Sequence, residues 1–418
     1  MNLVDISGHA LLVAFIFSVL AFILFAVAIT GRRWRNRDPR EHLARWSKLG
    51  AVAAGIGFAA HLAYLVLRWI AAGRIPIANM FEFLTFLALM VSGVFLAVFA
   101  RYRTPLIGLF TQPVIFLLLA FAAVFPSDIQ PLIPSLQSGW LYMHVTLAAL
   151  GEAFFAVGFA VGLMYLVRVT DFADRSRGGK SRFGIEFTLW TILAVVGFVL
   201  VTQLFAALGY SAEFAHPVRE RDDLGNWRTV TAEVEYTLPP LVAPDRYEIV
   251  HVDEFLGRSF VGVEAPEWLR GVAAARKLNT ILWSVMAGTV LYALLRLAAR
   301  KPLGAVLQRV MGDIDPDDLD EIGYRAIAVG YPIFALGGLV FASIWAHQAW
   351  GRFWGWDPKE TWALVVFLFY TFYLHLRLSR GWQGLKSAWL SVIGFLVVMF
   401  TLVGVNLLIA GLHSYAGV

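Results

Sequence analysis

The sequence predicts an all-α integral membrane protein of about ten transmembrane helices with one small extracytoplasmic insert. Three observations predict it. Hydrophobic residues fill 59% of the 418 positions and charged residues only 15%, more apolar than a soluble domain can solvate. Runs of about 20 apolar residues, long enough to cross a ~30 Å hydrocarbon core as helix, recur along almost the whole chain. Lys and Arg gather in alternate connections between those runs, the bias that orients membrane helices.

The first run, His9–Ile29, has neither a basic stretch before it nor a small-residue cleavage site, and reads as a retained helix rather than a signal peptide. Arg32, Arg33, Arg35, Arg37, Arg40, Arg45 and Lys48 follow it and place the first connection in the cytoplasm. The second run, Leu49–Leu67, reaches the third, Phe81–Ala100, through a short connection that carries Arg74. Asn79 and Glu82 have capping-box spacing for the third. Arg101 and Arg103 precede the fourth run, Thr104–Val124. Between the fifth, Val145–Val167, and the sixth, Phe187–Leu208, lie Arg168, Arg175, Arg177, Lys180 and Arg182. Arg300, Lys301 and Arg309 separate the seventh, Leu278–Ala298, from the eighth, Ala326–Ala346. Arg377, Arg380 and Lys386 separate the ninth, Thr361–Leu376, from the tenth, Ala388–Ile409. Both termini and the connection between the eighth and ninth runs are therefore expected on the extracytoplasmic side.

Three regions follow: an N-terminal transmembrane bundle over 1–208, an extracytoplasmic insert over 209–277, and a C-terminal transmembrane region over 278–418. In the insert Val230, Ala232, Val234 and Tyr236 alternate with Thr231, Glu233, Glu235 and Thr237, the period of a half-buried strand, and YEIVHVDEF reads as a second one. A β-hairpin cap is expected, with a partly ordered loop as the alternative. The net charge of +5 belongs to membrane topology, and no basic face with stacking aromatics suits nucleic acid. The chain has no cysteine, so no disulfide, thiolate metal site or thiol relay can belong to it.

The segment WGRFWGWDPKETW, Trp350 to Trp362, sits between the eighth and ninth runs. Asp357, Pro358 and Glu360 have the spacing of N-cap, N1 and N3, a helix start signal. Trp350, Trp354 and Trp356 then fall in the connection above that helix. One or two aromatics anchor a helix end. Three with interleaved glycines either pack as an aromatic belt or let a large flat ligand approach the backbone. Trp69, Trp140, Trp190 and Trp389 read as ordinary interfacial residues.

Histidines sort by depth at 1.5 Å per helical residue. His144, in the connection entering the fifth run, and His413, beyond the tenth, are level with the tryptophan connection. Two neutral imidazoles facing a flat ring are the usual axial ligands of a heme iron, with hydrogen-bonded structural residues as the bland alternative. His375 lies ~27 Å down the ninth run, near the cytoplasmic face, a candidate for an inner heme site with its second ligand on another subunit. His61, ~10 Å below the outer face, reads as a hydrogen bond to a neighbouring helix. Glu152, about eight residues into the fifth run, is expected to be neutral or paired, facing the same cavity as His144.

WGRFWGWDPKETWALVVFLFYTFYLHLRL, with DDLDEIGYRAIAVGYP and the terminal VNLLIAGLHSYAG, resembles the CcsA/ResC family of System II cytochrome c biogenesis. The W-G-x-x-W-x-W-D signature is the WWD loop of heme-handling proteins, and the GLHSY ending distinguishes CcsA from CcmC and CcmF. The resemblance is close from about Asp318 to Val418 and looser over GRIPIANMFEFLTFLAL and LYMHVTLAALGEAFFAVGF. It implies a subunit of a cytochrome c synthase in a bacterial plasma membrane or thylakoid-type membrane. With a CcsB/ResB-type partner it would bring heme b outward, as a substrate, to the Cys-x-x-Cys-His motif of apocytochrome c. Thiol-reducing proteins would act indirectly. On the family pattern His144 and His413 are the external axial ligands, His375 is a membrane histidine paired with one from the partner, and Trp350, Trp354, Trp356 and Asp357 carry the signature. Family members have about eight helices, so two extra helices and the insert are expected between about Thr170 and Asp317. The competing readings are a membrane electron-transfer protein with b-type heme and a heme exporter subunit without attachment chemistry.

Overall fold

In the computed structural model the described residues are 2–31, 38–129, 137–173, 175–221, 227–266, 268–269, 271–311 and 314–405. Among them ten helices are long and apolar enough to cross a membrane, and the chain is a multi-pass helical membrane protein with a small strand-containing insert. The chain divides into two compact units, one of residues 1–185 with 304–418 and one of residues 186–303.

The first unit holds α1 (Leu3–Thr30), α2 (Pro39–Ala72), α3 (Met80–Tyr102), α4 (Pro105–Ala122), α5 (Gly139–Val169) and the first turns of α6 (Arg175–Ala207). After the second unit, which ends with α7 (Ala274–Ala299), come α8 (Leu303–Met311) and α9 (Pro316–Phe334). A π-helical stretch, Ala335–Phe341, joins α9 to α10 (Ala342–Trp350). Then follow α11 (Pro358–Arg380), α12 (Leu385–Met399) and a second π stretch, Phe400–Gly404. The central element is α5, which packs on α3, α4, α9, α12 and the first π stretch. Most of its residues are buried, Ala149, Ala153, Phe155 and Val161 among them.

Polar side chains tie the helices where the bilayer offers no water. Ser18 Oγ donates to Gln112 Oε1 (2.7 Å) between α1 and α4, and Ser391 Oγ donates to the Gly158 carbonyl (2.7 Å) between α12 and α5. At one end Arg377 grips Asp320 with both guanidinium arms (2.9 and 2.8 Å) and also donates to Ser387 Oγ, while the Gly384 N–H donates to the same carboxylate. At the other, Asn79 caps α3 as its spacing predicts, accepting the Glu82 N–H at 2.8 Å. The Glu82 carboxylate does not complete a capping box. It is fully buried between Arg68 (3.1 Å) and Arg74 (2.7 Å) and accepts the Ala78 N–H as well.

In the second unit the rest of α6 and α7 carry the insert. Gly197 and Gly288 let the two helix backbones touch, since a Cβ on either would meet the other helix's main chain. The strands are β1 (Ala212–Arg221), β2 (Trp227–Tyr236), β3 (Val242–Ala243), β4 (Glu248–Val252), β5 (Glu254–Phe255), β6 (Arg258–Ser259) and β7 (Val263–Glu264). The main sheet is antiparallel in the order β2-β1-β4, with Phe214 opposite Val234. Phe214, Tyr236, Tyr210 and Phe205 form its core with Trp283 against it. Both strands expected from the sequence are present, β2 and β4, and they do not pair with each other. The unanticipated β1 lies between them. Its Pro217 sits beyond the residues that β4 pairs, so the missing N–H faces an open edge.

Candidate functional site

The tryptophan loop is set by its capping chemistry. Asp357 is the N-cap of α11, accepting the Glu360 N–H at 2.8 Å, and the Glu360 carboxylate returns to the Asp357 N–H and takes the Gly355 N–H at 2.6 Å. Gly351, at φ +70, closes α10 in the left-handed conformation that favours glycine, and its N–H bonds the His347 carbonyl. Trp356 adopts φ +57 without being glycine and holds its ring 70% exposed. A backbone of that kind costs on the order of 1 kcal/mol and persists only where its surroundings impose it. Here the capped turn between Gly355 and Asp357 imposes it.

The opposite wall comes from α5 and the π stretch. Ser138 caps α5 and donates to Gln348 Oε1 at 2.5 Å, so the start of α5 is bound to α10. Pro332 in α9 has no N–H to give, and the helix beyond it widens into the π stretch. Gly337 in that stretch lies against the backbone of Leu147 and Ala148, an approach that a side chain would block. The contact brings the Gly337 carbonyl to 2.9 Å from His144 Nδ1. A carbonyl accepts only, so Nδ1 carries the proton and the lone pair rests on Nε2. The His144 ring stacks on Trp345 at 5.8 Å and 12°, and Trp345 meets Trp350 edge-on at 4.9 Å.

Between these walls is a cleft with an empty volume of about 420 Å³. His144, Trp345, Phe353, Trp354, Lys359 and Glu360 line it, with Gly338, Ala342, Ser343, Ala346 and Ala363 completing it. Trp354 meets Trp356 edge to face at 5.9 Å, and its Nε1 is buried with no hydrogen-bond partner. A buried indole N–H normally finds an acceptor. Apolar faces, an imidazole lone pair, a lysine and an unsatisfied N–H suit a planar ligand that carries both a metal and anionic groups.

The expected residues distribute as follows. His144 reaches the cleft together with Trp354, and Trp350 reaches it through Trp345. Two placements differ from the sequence reading: α5 already begins at Gly139, so His144 is helical, and α10 runs through Trp350, so that ring leaves a helix end rather than the loop. His413 lies outside the described residues. His375 is exposed on α11, about 25 Å along the helix from its cleft end, with a 3.5 Å contact to Ser379 Oγ. His61 is buried beside Tyr64; its Nε2 has no partner among the described residues, and the interhelical bond expected of it is made instead with the Thr85 backbone of α3. Glu152 is buried with Oε2 unpartnered, and it is not among the residues that line the cleft. Among the described residues no His, Cys, Asp and Glu cluster could hold a metal ion on its own. Sequence reasoning passes over Lys359 and also His347, which stacks on Phe353 at 4.2 Å and 8°. The signal for His347 is its place three residues before Trp350.

The fold and this site define a polytopic helical membrane protein with an aromatic, histidine-walled cleft at one end of its bundle. Known proteins show which. A family model described as cytochrome C assembly protein matches residues 77–208 and 281–413, more than half of the chain. Cytochrome c biogenesis protein CcsA of Rippkaea orientalis is 33% identical over 371 residues, covering 88% of this chain and 87% of that protein. The CcsA proteins of Crocosphaera subtropica and Nostoc punctiforme are each 32% identical over 88% of the chain. The chain belongs to the cytochrome c assembly protein family, in its CcsA/ResC branch. The family match begins at residue 77, runs through α6, and resumes within α7 after a break over 209–280. The two helices expected as extras therefore fall largely within the matched ranges, and outside them lie 1–76, with α1 and α2, and the strand-containing segment 209–280.

Proposed function

We propose that this chain holds heme b as a substrate in the cleft of His144 and the tryptophan loop, and presents it for covalent attachment to apocytochrome c. Membership of the cytochrome c assembly family gives it a role in cytochrome c maturation. The observation that carries the finer reading is the 2.9 Å contact of His144 Nδ1 with the Gly337 carbonyl, which orients the ring and, in the neutral imidazole, leaves on Nε2 the lone pair that iron takes. His413 is proposed as the second axial ligand. Trp354 and Trp356 supply the faces against which the porphyrin rests, Trp350 buttresses Trp345, and Asp357 sets the loop.

His144 and the rings fix the macrocycle so that its vinyl edge meets the thiols of a Cys-x-x-Cys-His motif. Positioning replaces a three-body encounter. Each thiol S–H adds across a vinyl C=C: a C–S bond forms and the proton goes to the neighbouring carbon, with no oxidant needed. This chain has no cysteine, so keeping the substrate thiols reduced falls to other proteins. An exposed histidine on an apolar membrane helix is costly unless covered. We therefore assign His375 to an inner heme site completed by a CcsB/ResB-type partner, with the cleft and both termini on the outer side of the membrane.

Coexpression of this chain with such a partner and an apocytochrome c tests the reading. Covalent cytochrome c should form with the natural sequence, be lost with His144→Ala and return when imidazole is added to the medium. Unchanged yield in His144→Ala would overturn it, and covalent product distinguishes attachment from heme export or b-type electron transfer.

A further inference from the structure

We propose that His347, at the rim of the cleft, is the general base and acid of the attachment step. It takes the proton of a substrate thiol and returns it to the vinyl carbon beside the new C–S bond. The inference rests on the reading of the cleft as a heme site.

His347 lies on α10 one helical turn beyond Ser343, which lines the cleft, and residues four apart share a helix face. The cleft wall therefore continues along α10 to this imidazole. Its ring stacks on Phe353, another residue of the cleft, at 4.2 Å and 8°. The helix face and the stack together fix the plane of the ring at the rim. His347 is exposed, as are Phe353 and Trp356 beside it in the sequence of the loop, so an incoming peptide can reach it.

The reaction asks for such a group. Sulfur adds to a vinyl C=C as thiolate, and an ordinary cysteine, with a pKa of about 8.5, is only about 3% ionised at pH 7. The charged and titratable groups that the neighbouring elements bring to the cleft are Arg352 in the loop, Asp357, Lys359 and Glu360 at the start of α11, and His144 on α5. Arg352 and Lys359 are cations and only donate. The Asp357 and Glu360 carboxylates hold the backbone N–H groups of the capping box and of Gly355. His144 gives its lone pair to iron in the proposed site. Among the described residues this leaves His347 as the group there that can both accept and release a proton near neutrality. The step balances within the two reactants. The S–H proton passes to His347, the electron pair left on sulfur forms the C–S bond, and the π pair of the vinyl group takes the proton back at the neighbouring carbon.

The test measures single-turnover attachment of a Cys-x-x-Cys-His peptide to the heme-loaded complex of the full chain with its partner, across pH, with a non-thiol reductant present. In His347→Gln the rate rests on thiolate formed without help. It should be roughly 30-fold below the natural sequence at pH 7 and within about twofold of it at pH 9. A peptide with selenocysteine for cysteine is already ionised at pH 7 and should react equally with both proteins. The heme spectrum of His347→Gln should match that of the natural sequence. Equal rates at pH 7 would overturn the proposal. So would a slowing that persists at pH 9 or extends to the selenocysteine peptide, since that is what a structural or docking residue produces. An altered heme spectrum in His347→Gln would overturn it too, as the mark of an iron ligand. A heme spectrum that does not respond to His144→Ala would instead remove the heme reading of the cleft, and His347 with it. A slowing confined to the lower pH, with a spectrum that responds to His144→Ala, supports both.

Discussion

Replacing Glu360 by alanine removes the carboxylate that holds the tryptophan loop against the start of α11. Oε2 accepts the Gly355 N–H at 2.6 Å and the Asp357 N–H at 3.4 Å, while Asp357 Oδ1 accepts the Glu360 N–H at 2.8 Å. The short bond is charge-assisted and worth about 1.5–3 kcal/mol, and the weaker returning half of the capping box adds about 0.5–1 kcal/mol. Local stability of the loop should fall by roughly 2–4 kcal/mol. At about 1.4 kcal/mol per tenfold, the amides of residues 351–360 should exchange with deuterium roughly 30-fold to several hundred-fold faster. Glu360→Gln keeps a neutral acceptor and should lose about half of that energy. Hydrogen–deuterium exchange read by mass spectrometry on detergent-solubilised protein measures this directly, with peptides of α5 as the internal control. Unchanged exchange over 351–360 in Glu360→Ala would refute the reasoning that this carboxylate shapes the loop.

Three further outcomes follow from the same geometry. Glu82→Gln leaves Arg68 and Arg74 buried without their counter-charge and should cost about 3–5 kcal/mol, read as a lower midpoint of thermal unfolding in detergent. Trp356→Gly relieves a left-handed backbone and should stabilise the loop by roughly 1 kcal/mol while weakening heme binding, a split that separates the ring's role from the fold's. In the insert, the Ser211 N–H and then His251 hold the exposed Asp253 carboxyl below its ordinary value. A depressed folded value means the tie between the start of β1 and Asp253 is present above the unfolded value, about 3.9, and is lost as pH falls through the folded one. Exchange at the Ser211 amide should therefore rise in acid below about pH 4, and Asp253→Asn should remove that pH dependence.

Much of this architecture is legible in the residues because the bilayer imposes a coarse rule: every spanning segment must be a long apolar helix. All ten runs are present as helices over their described residues. Helix ends are less legible. The fifth run begins several residues before its apolar stretch because Ser138 caps it, and the eighth continues through the polar His347 and Gln348 because Gln348 bonds that same serine. Both effects move a candidate site ring, His144 or Trp350, from loop onto helix. The Asp357–Glu360 capping box is read correctly because its chemistry is local, whereas Asn79–Glu82 has the same spacing and a different outcome: two arginines from outside α3 claim the carboxylate. The π stretch that presents the Gly337 carbonyl to His144 depends on packing against α5, which no local pattern encodes. β1 is hidden by Pro217, which signals against a strand unless the unpaired edge beside it is known.

The most direct measurement is the spin state of the iron in heme bound to the purified complex, followed by electron paramagnetic resonance for the natural sequence and for His144→Gly. With Nε2 of His144 on the iron, the natural sequence should be low-spin, His144→Gly should turn high-spin the part of the signal that does not belong to the His375 site, and added imidazole should restore it. A low-spin signal that survives His144→Gly unchanged, without imidazole, would contradict the assignment of this cleft as the heme site.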